Sequence, residues 1–286
     1  MRKRLILLII LAFTFFNVNA QEDLMDLLNA ERGEETVYTI ATFKGARLIN
    51  GHTVVTRKVK ELEFIISHRF GRINTGIDDF FGLDGANVRF SLEYGITNDL
   101  TGGIGRNSFE KVYDGFLKYG ILKQSTGKVN MPISMTAFTS VAIRTLDDPT
   151  FQANDFNSKV SYTHQLLLAR KFSEKLSLQL SPTYVHRNKV LENQENDIIA
   201  LGIGGRMKLN TRLALNAEYF YRLTNEIDST YKDSIGIGLE IETGGHVFHL
   251  NLANSRSMVE RGFITETAGD FFKGDIHFGF NISRVF

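Results

Sequence analysis

From residue 61 to the end of the chain, apolar and polar residues alternate in runs of about ten. In the run over 61–70, Leu62, Phe64, Ile66 and Phe70 share one face and Glu61, Glu63, Ser67 and Arg69 share the other. Over 86–96, Val88, Phe90, Leu92, Tyr94 and Ile96 oppose Arg89, Ser91 and Glu93. In the final run, 273–286, Ile276, Phe278, Phe280, Ile282 and Phe286 oppose Asp275, His277, Gly279, Asn281 and Ser283. A strand sends successive side chains to opposite faces, so each run predicts a strand with one apolar and one polar wall. The same alternation marks 112–123, 131–144, 176–187, 196–208, 211–222, 233–242 and 246–254. It is weaker in the glycine-rich 100–107, and ambiguous in 157–172 at Leu166-Leu-Leu168. The count comes to twelve, and the connections alternate between long and short.

Such a pattern predicts an all-β chain folded as an antiparallel up-and-down β-barrel of about 12 strands. Parity alone leaves open which wall faces outward, since a soluble barrel alternates in the same way with its apolar side inside. Three features point to a transmembrane barrel with lipid outside. The strand number is high for a small soluble barrel, the last strand ends on Phe286, and the chain opens with a secretory leader. In that leader Arg2, Lys3 and Arg4 precede the apolar run Leu5–Phe16, and Val18 and Ala20 supply small residues for cleavage before Gln21. The expected organisation is a signal peptide over 1–20, an N-terminal periplasmic or plug segment over 21–60, and the barrel over 61–286. The expected location is the outer membrane, after cleavage between Ala20 and Gln21. Tyr94, Tyr119, Tyr184, Tyr219 and Tyr221 fall near strand ends on the apolar face, where interfacial aromatics belong.

The chain has 286 residues, with 33 Lys and Arg against 32 Asp and Glu. Loss of the leader removes three cations and turns the balance of +1 into −2. Neither balance provides a basic field for nucleic acid. The absence of cysteine excludes disulfides, thiolate nucleophiles and cysteine-type zinc sites.

Longer motifs carry a resemblance. They include Arg47-Leu-Ile-Asn-Gly-His52, Ser67-His-Arg-Phe-Gly71, Tyr113-Asp-Gly-Phe-Leu-Lys-Tyr119, Glu242-Thr-Gly-Gly-His-Val-Phe248, Gly262-Phe-Ile-Thr-Glu-Thr267 and the closing Gly274–Phe286 run. Through them the chain resembles, from Phe43 to Phe286, a family of outer-membrane β-barrel proteins of Gram-negative bacteria whose function is unknown. The resemblance implies the barrel and its membrane, and no activity.

Chemistry is sparse. A two-residue turn at Gly244-Gly245 pairs Glu240 with His249 on the polar face. With His277 on the next strand, these residues form a candidate lumen site near the periplasmic end. A hydrogen-bond network is the favoured reading there, with no metal and no cofactor. Glu242, Arg206, Arg222, Arg89 and Glu93 extend the candidate network, and the mixed charges predict pairing across strands. Arg47, Asn50 and His52, in the unplaced 35–60 stretch, form a candidate plug of the periplasmic mouth, polar enough to meet lumenal carboxylates. Phe286, Phe280 and Phe278 form a candidate insertion signal for the barrel-assembly machinery. His68 and His164 lie on apolar faces with no serine placed beside them, so no enzyme is expected. The expected function is a small-solute channel or plugged transporter whose partner is outer-membrane lipid. A partner-binding barrel acting through loops 145–156 and 255–272, or a membrane-embedded hydrolase, are the alternatives.

Overall fold

The computed structural model describes residues 35–147, 155–224 and 230–286. The leader and its cleavage site lie outside the described residues.

Twelve strands close into one antiparallel ring. They are β2 (Leu62–Arg72), β3 (Ala86–Gly95), β4 (Leu100–Asn107), β5 (Val112–Leu122), β7 (Ser134–Arg144), β8 (Val160–Lys171), β9 (Leu176–Arg187), β10 (Asp197–Lys208), β11 (Leu213–Arg222), β12 (Ser234–Thr243), β13 (His246–Ala253) and β14 (His277–Val285). Each overlaps one of the alternating runs. Two short strands, β1 (Thr36–Tyr38) and β6 (Ser125–Gly127), pair with each other outside the ring. That pairing explains why the connection 123–133 is long at an end where 96–99, 172–175, 209–212 and 244–245 are tight turns.

Ring closure rests on β14, whose Ile282 sits opposite Ile66 of β2 and Phe280 opposite His68. Phe286 continues the pairing, donating its N–H to the Leu62 carbonyl (2.8 Å) and accepting from the Leu62 N–H (3.2 Å). Both edges of the sheet are thereby satisfied, as a spanning sheet in lipid requires.

The ring is inside out by the standard of a soluble protein. Phe90, Ile104, Leu117, Ile199, Ile203, Met207, Leu215 and Ile237 are exposed on its outer wall. Glu63, Arg69, Arg89, Glu93 and Lys118 are buried within it. Only a lipid exterior makes the first set favourable, and an interior of paired polar groups makes the second tolerable. Among the described residues no helix is long and apolar enough to cross a membrane.

The glycine richness of β4 has a steric cause. A Cβ on Gly103 would stand 2.2 Å from the Phe116 ring, and one on Gly105 would stand 2.4 Å from the Arg89 guanidinium. These glycines let large side chains of β5 and β3 lie flat against the lumenal wall. At the far end of the barrel the connections 73–85 and 254–276 are long. They are tied together by Asp275, which accepts from the Asp270 N–H (3.0 Å) and the Asn74 side-chain amide (2.8 Å). These two bonds, the backbone one first, hold the Asp275 carboxyl below the usual range.

Candidate functional site: the filled lumen

The wall side chains of twelve strands do not fill a ring of this size, which lies between the filled eight-stranded barrel and the open porin. Two further segments occupy the lumen, one from each end.

From the end where Phe286 and the tight turns lie, residues 39–60 run into the ring. Within them Ala46–Thr53 turns back on itself, with Leu48 N–H bonded to the Gly51 carbonyl (2.9 Å) and Thr53 N–H to the Ala46 carbonyl (2.8 Å). This hairpin is buried, and side chains around the whole ring hold it. The Glu218 carboxylate of β11 accepts from three consecutive backbone N–H groups, those of Ile49 (3.2 Å), Asn50 (2.8 Å) and Gly51 (3.0 Å). A turn that points successive amides at one anion is a nest, filled here by the protein's own carboxylate. Three and four strands further round the ring, Asn281 Nδ2 of β14 donates to the Ile49 carbonyl (2.8 Å) and Arg69 of β2 donates to Asn50 Oδ1 (2.8 Å). Gln179 bridges both directions, donating to the His52 carbonyl (2.7 Å) and accepting from Val54 N–H (3.0 Å). Thr136 donates to the Val54 carbonyl (2.8 Å) and Lys118 to the Val55 carbonyl (2.5 Å). Apolar contacts are fewer: Phe43, Leu48 and Val54 pack on Phe116, Phe138 and Leu167, and the His52 ring lies against Phe116 and Phe138. The exit passes over Gly95 so closely that a Cβ there would meet the Lys58 carbonyl.

From the loop end, the connection before β14 sends in a short helix, α1 (Glu260–Thr265), all of it buried. Its Phe263 and Ile264 fill a pocket of Val185, Ile198, Ala200 and Phe220. Arg261 pairs with Glu110 (3.0 Å) and Glu266 (2.5 Å), and Glu266 also accepts from Arg187 (3.3 Å). Above α1 lies a cavity of about 720 Å³ lined by Arg72, Glu110, Arg256, Glu266 and His277 among others.

The predicted network is present only in pieces. The register places Glu240 opposite His249, with the imidazole Nε2 3.7 Å from the carboxylate. Arg206 joins Glu240 (2.6 Å) and Glu242 (2.7 Å). His277 does not belong to this group. The residue opposite His249 on β14 is Asn281, and His277 lies four residues further toward the loop end, bonded to the Phe70 carbonyl (2.8 Å). Among the described residues no cluster of three or more His, Asp or Glu is arranged to hold a metal. Arg222 is likewise at the loop end, on the Tyr231 carbonyl (2.5 Å). Arg89 pairs with Asp114 (2.5 Å) rather than with Glu93, whose neighbour is His52 (4.0 Å).

Of the candidate plug residues, Arg47, Asn50 and His52 are all buried in the lumen. Lys44 meets Glu242 (3.0 Å) and Arg57 meets Glu63 (3.5 Å). Arg47 reaches none of the expected wall carboxylates and donates instead to Glu260 of α1 (3.0 Å). Glu260 escapes sequence reasoning because α1 is too short for a helical period and follows no strand alternation. On the outer wall, Phe278 and Phe280 stack on Phe70 and His68. His164 does have a hydroxyl partner there, Thr139 Oγ1 at 3.0 Å.

A closed ring with an apolar exterior and a polar, filled interior defines a transmembrane β-barrel. The chain belongs to the family described as "Membrane bound beta barrel domain (DUF5777)", whose model matches residues 43–286. No curated protein matches the chain. Among solved structures it is similar to the NanC porin, at 9% identity and a TM-score of 0.49, over 78% of this chain and 98% of that one. It is also similar to the COG4313 outer membrane channel from Pseudomonas putida F1, at 11% identity and a TM-score of 0.47, over 81% and 97% of the two chains. Outer membrane phospholipase A from Escherichia coli is similar at 12% identity and a TM-score of 0.47, over 86% and 98%.

Proposed function

We propose that this protein is a small-solute channel of the outer membrane that is closed at rest by the Ala46–Thr53 hairpin. The observation that carries the reading is the chemistry of the wall beneath the hairpin. Polar wall groups that bond a seated insert can be solvated by water once it leaves, whereas an apolar wall cannot. This hairpin is met by Glu218, Arg69, Asn281 and Gln179, and the Val54-Val55 stretch that follows it by Thr136 and Lys118. Lifted away, it leaves a polar passage that water solvates, with charges of both signs and no strong selectivity for either. The family match begins at Phe43, the first apolar residue of the hairpin segment packed in the lumen, so the insert is matched together with the ring.

The rest of the pathway follows from the sequence. The leader is removed between Ala20 and Gln21, and the assembly machinery takes up the β14 end through Phe278, Phe280 and Phe286. Both termini then face the periplasm and the long connections face outward.

Single-channel recording tests the reading. Protein starting at Gln21 is expected to conduct weakly, and protein starting near Lys60 to open a steady, larger conductance. Equal conductance in both forms contradicts it. Lipid hydrolysis by the intact protein, lost on His164→Ala, would instead place the function on the outer wall.

A further inference from the structure

The hairpin and α1 enter from opposite ends and touch. Arg47 Nη1 donates to Glu260 Oε1 at 3.0 Å, and His52 Nε2 lies 3.4 Å from the same oxygen. All three side chains are almost fully buried. A second contact is apolar. A Cβ on Gly51 would stand 3.0 Å from the Phe220 ring, and Phe220 packs edge-on against Phe263 of α1 at 5.1 Å.

We propose that Arg47, His52 and Glu260 form a latch that couples the two mouths, so that withdrawal of the hairpin from the periplasmic side releases α1 on the outer side. The physical reason is that neither insert is electrostatically complete alone. Without the hairpin, Glu260 is a carboxylate without the Arg47 guanidinium, deep in the lumen. Without α1, Arg47 keeps only the Asn50 carbonyl as a hydrogen-bond acceptor. When either insert leaves, the other loses this charge-assisted hydrogen bond, so the state with one insert seated and the other free is disfavoured. Phe220 adds to the coupling, since it is shared between Gly51 and Phe263. The charged groups that face the latch from the wall are Glu93, Arg89, Lys118 and Arg69, all carried by ring strands rather than by either insert. The latch rests on the gated-channel reading for its purpose, but not for its test.

The chain has no natural cysteine, so single thiols report cleanly. Thr265→Cys places a thiol at a buried position of α1. Intact cells carrying it are treated from outside with a bulky maleimide-polyethylene glycol. Only variants that migrate as folded barrels when unboiled are compared. Arg47→Ala is expected to raise the labelling rate at least tenfold. The exchange of charges, Arg47→Glu with Glu260→Arg, is expected to bring it back to within threefold of the parent. Because coupling between two sites acts in both directions, Glu260→Ala is expected to raise labelling of Thr53→Cys in the hairpin, measured in nanodiscs, as well. Labelling of Thr265→Cys within twofold of the parent in Arg47→Ala overturns the latch. So does a charge exchange that labels as fast as Arg47→Ala alone. Solute flux through the same variants separates the two readings. Coupled labelling with no flux in any variant leaves the latch and removes the channel, whereas flux that rises in Arg47→Ala while labelling stays flat removes the latch and leaves the channel.

Discussion

The two segments that fill this barrel are held in opposite ways. The hairpin satisfies only part of its backbone internally, and wall side chains supply the remaining donors and acceptors: Glu218 alone takes three N–H groups. The helix α1 satisfies its backbone more fully within its own loop, and is held by burying Phe263 and Ile264 in an apolar pocket. A segment bound through hydrogen bonds to polar walls trades them for water when it leaves, at modest net cost per bond. A segment bound by apolar burial loses the whole transfer free energy and exposes its pocket. The hairpin is therefore the element suited to move, and α1 the element suited to stay until its charged contact with the hairpin is withdrawn.

Glu218→Ala is the change expected to disturb this arrangement most. It strips one acceptor from three buried amides, and hydrogen bonds to charged groups contribute about 1.5–3 kcal/mol each. Allowing for non-additivity, hairpin seating is expected to weaken by about 4 kcal/mol, near a thousandfold. The readout is conductance approaching that of protein lacking the hairpin. Next is Phe263→Ala, which opens a void among Val185, Ile198, Ala200 and Phe220. A loss of about 3 kcal/mol is expected for α1, seen as faster outside labelling of Thr265→Cys with the hairpin displaced less than by Glu218→Ala.

These two changes also mark what was legible in the sequence. Most ring strands stand out in it because each faces lipid on one side and polar lumen on the other, and that contrast writes a period of two into the residues; the glycines of β4 and the Leu166–Leu168 run of β8 blur it there. The pairing of Glu240 with His249 follows from Gly244-Gly245, since a two-residue turn sets the register of its strands. The sequence pattern puts His277 at the wrong end of the lumen, because facing inward fixes a residue's wall but not its height. The register of β13 with β14 brings Asn281, not His277, to His249. The hairpin carries no period of its own, for its bonds run to residues more than a hundred positions away, such as Gln179, Glu218 and Asn281. Only its polarity marked Arg47, Asn50 and His52 as lumen residues. Glu260 and α1 left no periodic signal at all.

Smaller changes sharpen the contrast. Gln179→Ala removes two bonds from the hairpin at His52 and Val54. It is expected to cost about 1–2 kcal/mol of seating, enough to raise the frequency of opening events without holding the channel open. Lys44→Ala breaks a pair with Glu242 that is partly exposed on both sides. Such pairs contribute about 0–1 kcal/mol, and conductance is expected to stay at the parental level.

The amides of Ile49, Asn50 and Gly51 are bound to Glu218 inside the ring. Amide hydrogen exchange on the intact protein in nanodiscs reads this contact without altering a residue. These three amides are expected to exchange on the order of a thousandfold more slowly than in an unstructured peptide, and Glu218→Ala to remove the protection there while the β9–β10 pairing keeps its own. Exchange of all three in the parent within about tenfold of the peptide rate would contradict it.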